Sequence, residues 1–119
     1  MHDETVPRFD LEAVKAAAAR GRVFFSSLDA QLTVLNEGLD PGEVAKALSE
    51  MTAECFHKCE ISAAEGHEGE YYDWYMCPFE PWASPSKKQT RVLSVKFELV
   101  GDMVRVFRLH RSRPPRRMR

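Results

Sequence analysis

The strongest constraint on the fold is the alternation of apolar and polar side chains over residues 90–110. The first half, TRVLSVKFELV, is apolar at every second position, and a β-rich run, MVRVFRLH, follows Gly101 and Asp102. Period-two alternation is typical of a strand with one buried face, and glycine beside aspartate between two such runs is typical of a hairpin turn. The segment therefore predicts a β-hairpin with one apolar and one cationic face.

The length of the turn decides which side chains share a face of this hairpin. With a two-residue loop, Glu98 lies opposite Arg105, and Arg108 falls beside the apolar set. With a three-residue loop and its usual bulge, the apolar side chains of the first strand share a face with Phe107 and Leu109. We predict the three-residue loop because its core face is more uniformly apolar. Its polar face then carries Ser94, Lys96, Arg108 and His110.

The predicted register places two cations, Lys96 and Arg108, opposite each other across the ladder. Like charges in this position destabilise a strand pair, and a bound anion would relieve the repulsion. The polar face therefore indicates a site for a phosphate-bearing ligand. An ordinary solvated face, with Lys96 paired to Glu98, is the alternative interpretation.

The residues upstream of the hairpin predict helices that can cover its apolar face. Asp10, the serine pair at 26–27 and Asp40 are three candidate N-caps. In the second helix, the leucines at 28, 32 and 35 fall at i, i+4 and i+7, which predicts that they form its buried side.

Two further strands, at residues 59–63 and 71–76, are predicted between the helices and the hairpin. The order indicates an α+β fold, with about three N-terminal helices packed on one face of an antiparallel β-sheet of about four strands. We predict one domain over residues 1–110.

Charge is unevenly distributed along the chain. The net charge is -1, yet residues 105–119 contain seven arginines and no acid. We predict that residues 111–119 form a basic Arg/Pro-rich tail, which is typical of arms that bind RNA or DNA phosphate. A solubilising terminus that folds back on the acidic body is an equally good interpretation. Three cysteines, an acidic start and no long apolar run favour a cytoplasmic protein without a membrane span.

Several local motifs resemble those of the MqsR-type (motility quorum-sensing regulator) toxins, small mRNA endoribonucleases with a RelE-like fold. The matching stretches are Gly38-Leu39-Asp40, Phe56-His57-Lys58-Cys59, His67, Tyr71-Tyr72-Asp73-Trp74-Tyr75, Ser94-Val95-Lys96 and Val106-Phe107-Arg108. The resemblance covers residues 11–109. It implies a RelE-like toxin of a type II toxin–antitoxin system that cleaves single-stranded mRNA without a metal or cofactor. It also implies a cognate antitoxin, a helix-turn-helix protein from the same operon.

The resemblance also assigns roles to individual side chains. The family's two catalytic lysines fall on Lys58 and Arg108. Its glutamine falls on Tyr72 and its tyrosine on Ser94, so Tyr72, or Tyr75 on the same face of the predicted strand, is the expected replacement for the lost phenol. Taken together with the chemistry of RNA cleavage, the candidate catalytic residues are Lys58, Tyr72, Tyr75, Lys96 and Arg108, and the candidate RNA-binding residues are His67, Trp74, Ser94, Arg105 and His110.

The chemistry of metal-independent RNA cleavage requires the same residue types. A 2′-hydroxyl must lose a proton, the extra negative charge on phosphorus must be held, and the leaving 5′-oxygen must gain a proton. Lysine and arginine side chains serve the second need, and tyrosine or histidine the other two. A non-catalytic nucleic-acid- or protein-binding module that retains the toxin fold is the alternative.

The cysteines offer a competing chemistry. Cys55, His57 and Cys59 alternate, and Cys77 and His67 are further candidate zinc ligands. The spacing does not match the paired loops of structural zinc sites, so we predict buried thiols and no metal.

Overall fold

The computed structural model describes residues 3–62, 68–82 and 91–112. Its helices are α1 (Leu11–Ala19), α2 (Leu28–Asn36) and α3 (Pro41–Ser49), and its strands are β1 (Val23–Phe25), β2 (Phe56–Ile61), β3 (Tyr71–Pro78), β4 (Val92–Val100) and β5 (Met103–Ser112). The predicted α+β class is confirmed. His67 and residues 113–119 of the predicted tail lie outside the described residues, and β5 extends two residues past the predicted domain end.

The strands form one mixed sheet in the order β1-β5-β4-β3-β2. Strands β2 to β5 are an antiparallel meander, whereas β1 pairs with β5 in parallel. The prediction of about four antiparallel strands describes the meander. Residues 22–25, which the sequence predicts as a short β-like link, contain β1 as a fifth strand. Its place in the sheet depends on pairing with a strand about 80 residues away along the chain, which alternation within three residues cannot reveal.

The predicted three-residue loop between β4 and β5 is wrong. Val100 pairs with Met103, so the loop has two residues, and Gly101 adopts a φ of 61° that favours glycine. A bulge at Phe107 supplies the extra residue instead, so that Lys96 still lies opposite Arg108. Phe107, which the sequence predicts on the core face, does not lie there because of this bulge.

The core lies between the helices and one face of the sheet. Buried side chains of the meander pack there against α1 and α3. The largest contributors from the sheet are Tyr75, Leu93, Val95, Phe97, Val104, Val106 and Leu109, and those from the helices are Val14, Val44 and Leu48. Asp10, Ser27 and Asp40 accept hydrogen bonds from backbone N–H groups at the starts of the three helices, as predicted.

Helix α2 does not bury the leucines that define its apolar stripe. Leu28, Leu32 and Leu35 are 70%, 45% and 75% exposed, and Ala30 is the fully buried side chain of the helix. The Ser27 hydroxyl donates to the carbonyl of Phe107 and thereby fixes the start of the helix against β5. The predicted burial of the three leucines is therefore wrong, because periodicity identifies a stripe but not the surface that covers it.

The N-terminal segment before α1 packs against the core side of β2 and β3. The buried carboxylate of Asp73 accepts hydrogen bonds from the backbone N–H groups of Arg8 (2.9 Å) and Phe9 (3.0 Å). Burial raises the pKa of Asp73, although these hydrogen bonds oppose the rise. The carbonyl of Glu4 accepts from the backbone N–H of Cys59 on β2. The segment thus lies, with α1 and α3, on the core side of the sheet. No helix among the described residues is long and apolar enough to cross a membrane.

Candidate functional site

The sheet face opposite α1 and α3, which we call the open face, carries a row of chemically active side chains. The row crosses four adjacent strands, because Lys58 pairs with Trp74, Trp74 with Lys96, and Lys96 with Arg108. Neighbouring strands lie about 4.8 Å apart, so these side chains form one continuous surface. The structure therefore brings together the three cations predicted from the sequence.

Glu60 joins this row, and our interpretation of the sequence missed it. One carboxylate oxygen lies 3.0 Å from the ammonium nitrogen of Lys96, and the other lies 3.5 Å from that of Lys58. Lys58 and Glu60 are two residues apart on β2 and so share a face. That spacing was visible in the sequence, but a Lys-x-Glu pair on a strand is usually a solvated ion pair.

The electrostatic surroundings of Glu60 keep its carboxylate ionised. Partial burial acts to raise the pKa of Glu60, because desolvation disfavours the charged form. The hydrogen bond and charge of Lys96, followed by those of Lys58, outweigh burial and hold the pKa below its ordinary value. The side chain is 24% exposed on the open face, and the oxygen that faces Lys96 is itself buried.

Tyr72 pairs with Glu60 across the β2–β3 ladder and lies on the open face, as predicted. Burial raises the pKa of its phenol, and the charge of Glu60 and their side-chain hydrogen bond raise it further. The positive charge of Arg108 opposes part of this rise. The phenol is therefore protonated at neutral pH and donates to the Glu60 carboxylate.

Trp74 organises the two lysines of the row. Its ring centre lies 4.2 Å from the Lys96 ammonium and 5.5 Å from that of Lys58, which are cation–π distances. The indole N–H donates to the Ser94 hydroxyl at 2.6 Å, and the His57 ring packs against the indole edge to face. Ser94 is only 1% exposed, so its side chain is buried and is not presented to a ligand on the open face, as the prediction of an RNA contact requires. Its hydroxyl instead positions Trp74.

Arg108 and His110 lie at the β5 side of the open face. The Arg108 Nε atom is 3.4 Å from a carboxylate oxygen of Asp29 on α2, and both side chains are more than half exposed. His110 pairs with Ser94, one step along the ladder from Arg108. Burial lowers the pKa of His110, Lys96 and Arg108 lower it further, and Asp29 opposes them. A pair this exposed is weak, so Arg108 can exchange Asp29 for a phosphate.

Arg105 is the least accessible of the predicted RNA-binding residues on β5. It forms an ion pair with Glu98 at 3.0 Å, and its guanidinium lies 4.7 Å from the ring centre of Phe107. The Phe107 ring in turn lies 5.9 Å from that of Tyr72. Arg105 therefore packs on Phe107 at one end of the open face, and Glu98 neutralises its charge.

Tyr75 is not part of the open face, so its predicted position on the same face as Tyr72 is wrong. It is 1% exposed and stacks on Phe97 in the core, with ring centres 5.4 Å apart. Burial strongly raises the pKa of its phenol. Tyr75 lies three residues after Tyr72, and side chains an odd number of residues apart on a strand point to opposite faces.

The bulge in β2 between Phe56 and Lys58 separates His57 from the cysteines. Cys55, Cys59 and Cys77 are free and buried, whereas His57 packs on the ring of Trp74. Burial, together with the charge of nearby Asp73, raises the pKa of the Cys59 thiol to about 11. Within residues 3–62, 68–82 and 91–112, no three or more His, Cys, Asp or Glu side chains are grouped so as to hold a metal ion.

No family model matches this chain, and a search of the curated proteins finds no match. The interpretation of the open face therefore depends on its own geometry and on the motifs described above.

Proposed function

We propose that the protein is a metal-independent endoribonuclease that cleaves single-stranded mRNA on the open face of its sheet. We further propose that it is an MqsR-type toxin with a RelE-like fold. The observation that carries the proposal is the grouping of Lys58, Lys96 and Arg108 around one ionised carboxylate and one phenol. Cleavage through the 2′-hydroxyl needs positive charge for the phosphate and nearby groups that move protons.

The cations have distinct places in this proposal. Lys96 lies opposite Arg108, and both reach the same side of the sheet, so a phosphate between them would contact both. Lys58 lies on the far side of Trp74 and extends the positive surface along the RNA backbone. Because Arg108 has a planar guanidinium with several donors, it can bind two phosphate oxygens at once.

His110 is the group best placed to give a proton to the leaving 5′-oxygen. It lies diagonally across the ladder from Lys96 and two residues after Arg108 on β5. Its lowered pKa means that the protonated form becomes more abundant as the pH falls below the ordinary range for histidine. The reaction should therefore be fastest on the acidic side of neutrality.

A non-catalytic nucleic-acid-binding module is the second candidate function. It is favoured by the burial of Ser94, since this position, to which the resemblance assigns the family's tyrosine, offers no group to a substrate. Such a module would bind single-stranded RNA in a salt-dependent manner without cleaving it.

We also propose a protein partner, the cognate antitoxin, in the reducing cytoplasm that suits the free cysteines described above. The exposed Leu28, Leu32 and Leu35 of α2 support this part of the proposal. Uncovered apolar stripes of this kind are typical of surfaces that bind other proteins.

Induced expression followed by mapping of RNA 5′ ends tests the proposed function. We expect the wild type to arrest growth and to generate new 5′ ends at a recurring sequence in mRNA. Lys58→Ala should abolish both effects, because it removes a cation from the row. Lys46→Ala is the matched control, since Lys46 lies on α3 and its 3.5 Å pair with Glu80 is exposed. Harmless expression of the wild type, with no new 5′ ends, would contradict the proposal.

A further inference from the structure

The cations that the proposed function assigns to phosphate are already engaged by Glu60. Lys96 and Lys58 contact its two carboxylate oxygens at 3.0 Å and 3.5 Å. An RNA phosphate on the open face must therefore compete with Glu60 for the same ammonium groups. The outcome of that competition changes the chemistry of the carboxylate.

We propose that Glu60 is the general base of the cleavage reaction and that the bound RNA phosphate activates it by drawing Lys96 and Lys58 away from its carboxylate. This inference rests on the proposed function, and it describes how substrate binding regulates the same site.

The geometry allows one ammonium group to move between the two acceptors. Lysine has a flexible stem and a compact charge with three donors, and the Lys96 ammonium lies over Trp74 between Glu60 on β2 and Arg108 on β5. A phosphate held by Lys96 and Arg108 would lie on the same side of the sheet as the Glu60 carboxylate. The ribose 2′-hydroxyl next to that phosphate can then approach the carboxylate across the ring of Tyr72.

The charges around Glu60 explain why phosphate binding would strengthen the base. Partial burial raises the pKa of Glu60, and only the two lysines reverse this effect. Tyr72 donates a hydrogen bond from β3, and Arg108 acts on Tyr72 from β5. When Lys96 and Lys58 pair with the phosphate instead, the Glu60 carboxylate remains partly buried and the negative charge of the phosphate lies nearby. Both raise the pKa of the carboxylate and make it a better proton acceptor.

The reaction balances without a redox partner. The 2′-hydroxyl proton moves to a carboxylate oxygen of Glu60 as the 2′-oxygen forms a bond to phosphorus. The bond between phosphorus and the 5′-oxygen breaks, and that oxygen takes a proton from the His110 imidazolium. The products are a 2′,3′-cyclic phosphate and a 5′-hydroxyl. A substrate without the 2′-hydroxyl can bind but cannot react.

The direct test is an NMR titration of the Glu60 carboxyl carbon in the full chain. The pKa is measured for the free protein and for the protein saturated with a single-stranded RNA oligonucleotide whose 2′-hydroxyls are all methylated. We expect the pKa of Glu60 to rise on binding, while the carboxyl carbon signal of Glu12, which is exposed on α1, should not move when the oligonucleotide is added. An unchanged or lowered pKa of Glu60 in the complex would overturn the inference.

Kinetics separate a base from a structural carboxylate. Glu60→Gln should lower the single-turnover cleavage rate by about 10²–10⁴-fold and remove the acid limb of the pH profile. The variant should bind the methylated oligonucleotide at least as tightly as the wild type, because the phosphate no longer competes with a carboxylate for the lysines. Weaker binding together with slower cleavage would indicate a structural role instead. Glu12→Gln should match the wild type in both measurements.

The two proposals fail in different ways. If the wild type cleaves RNA and Glu60→Gln cleaves it equally fast, the inference is overturned and the proposed function stands. If the wild type cleaves no RNA, the proposed function fails and Glu60 is not a catalytic base. The titration then still shows whether a bound phosphate competes for Lys96 and Lys58.

Discussion

Replacing Lys96 by methionine is expected to lower the single-turnover rate of RNA cleavage by about 10²–10³-fold, the usual effect of removing one group that stabilises transition-state charge. Lys96 contacts Glu60, lies over Trp74 and is opposite Arg108, so it is the cation at the centre of the open face. Methionine preserves an unbranched apolar stem over the indole and removes only the charge and the donors.

The fold should tolerate this change. Lys58 stays 3.5 Å from the Glu60 carboxylate, so the variant does not leave a partly buried charge without a cation. Lys46→Met removes an exposed cation from α3 and should cleave at the wild-type rate. Cleavage by the Lys96 variant at a rate close to the wild type, with its fold intact, would remove the central cation from the proposed site.

Replacing Phe97 by alanine is expected to lower the free energy of unfolding by about 3–5 kcal/mol, the range for large aromatic side chains in a core. Phe97 is fully buried at the centre of β4, between Asp73 on β3 and Val106 on β5, and it stacks on Tyr75. The loss would be a large part of the ~5–15 kcal/mol that stabilises a typical domain. Urea unfolding followed by circular dichroism measures it.

Leu35→Ala is the matched control for this prediction. The helical spacing of the leucines in α2 predicts that Leu35 lies in the core, whereas the structure leaves it 75% exposed. Its replacement should change the free energy of unfolding by no more than about 0.5 kcal/mol. Equal destabilisation by the two variants would mean that α2 packs through its leucine stripe and that the described orientation of the helix is wrong.

The hairpin shows which parts of the fold alternation can predict. The turn has two residues rather than three, yet Lys96 lies opposite Arg108 as expected. An extra residue placed either in the loop or at Phe107 gives the same pairing beyond the bulge. Period-two patterning therefore predicts the cationic face but cannot locate the irregularity, which lies at Phe107, where the backbone carbonyl also accepts from Ser27.

The sequence predicted the cations of the candidate site better than it predicted the side chains that surround them. Lys58, Lys96 and Arg108 meet because a meander places β2 to β5 side by side. Tyr75 was assigned to the wrong face although its spacing from Tyr72 was available in the sequence. Glu60 was overlooked because a carboxylate beside a lysine has a routine explanation until a second lysine, from β4, is found on the same carboxylate.

The most direct test of the central claim is cleavage of two synthetic single-stranded RNAs by the purified full chain in the presence of EDTA. The RNAs contain the sequence found by 5′-end mapping and differ only in a hydroxyl or hydrogen at the 2′ position next to the cleaved bond. We predict that the first is cut to a 2′,3′-cyclic phosphate and a 5′-hydroxyl and that the second stays intact. Cleavage of both RNAs, or of neither, would contradict the assignment of the open face as a metal-independent ribonuclease site.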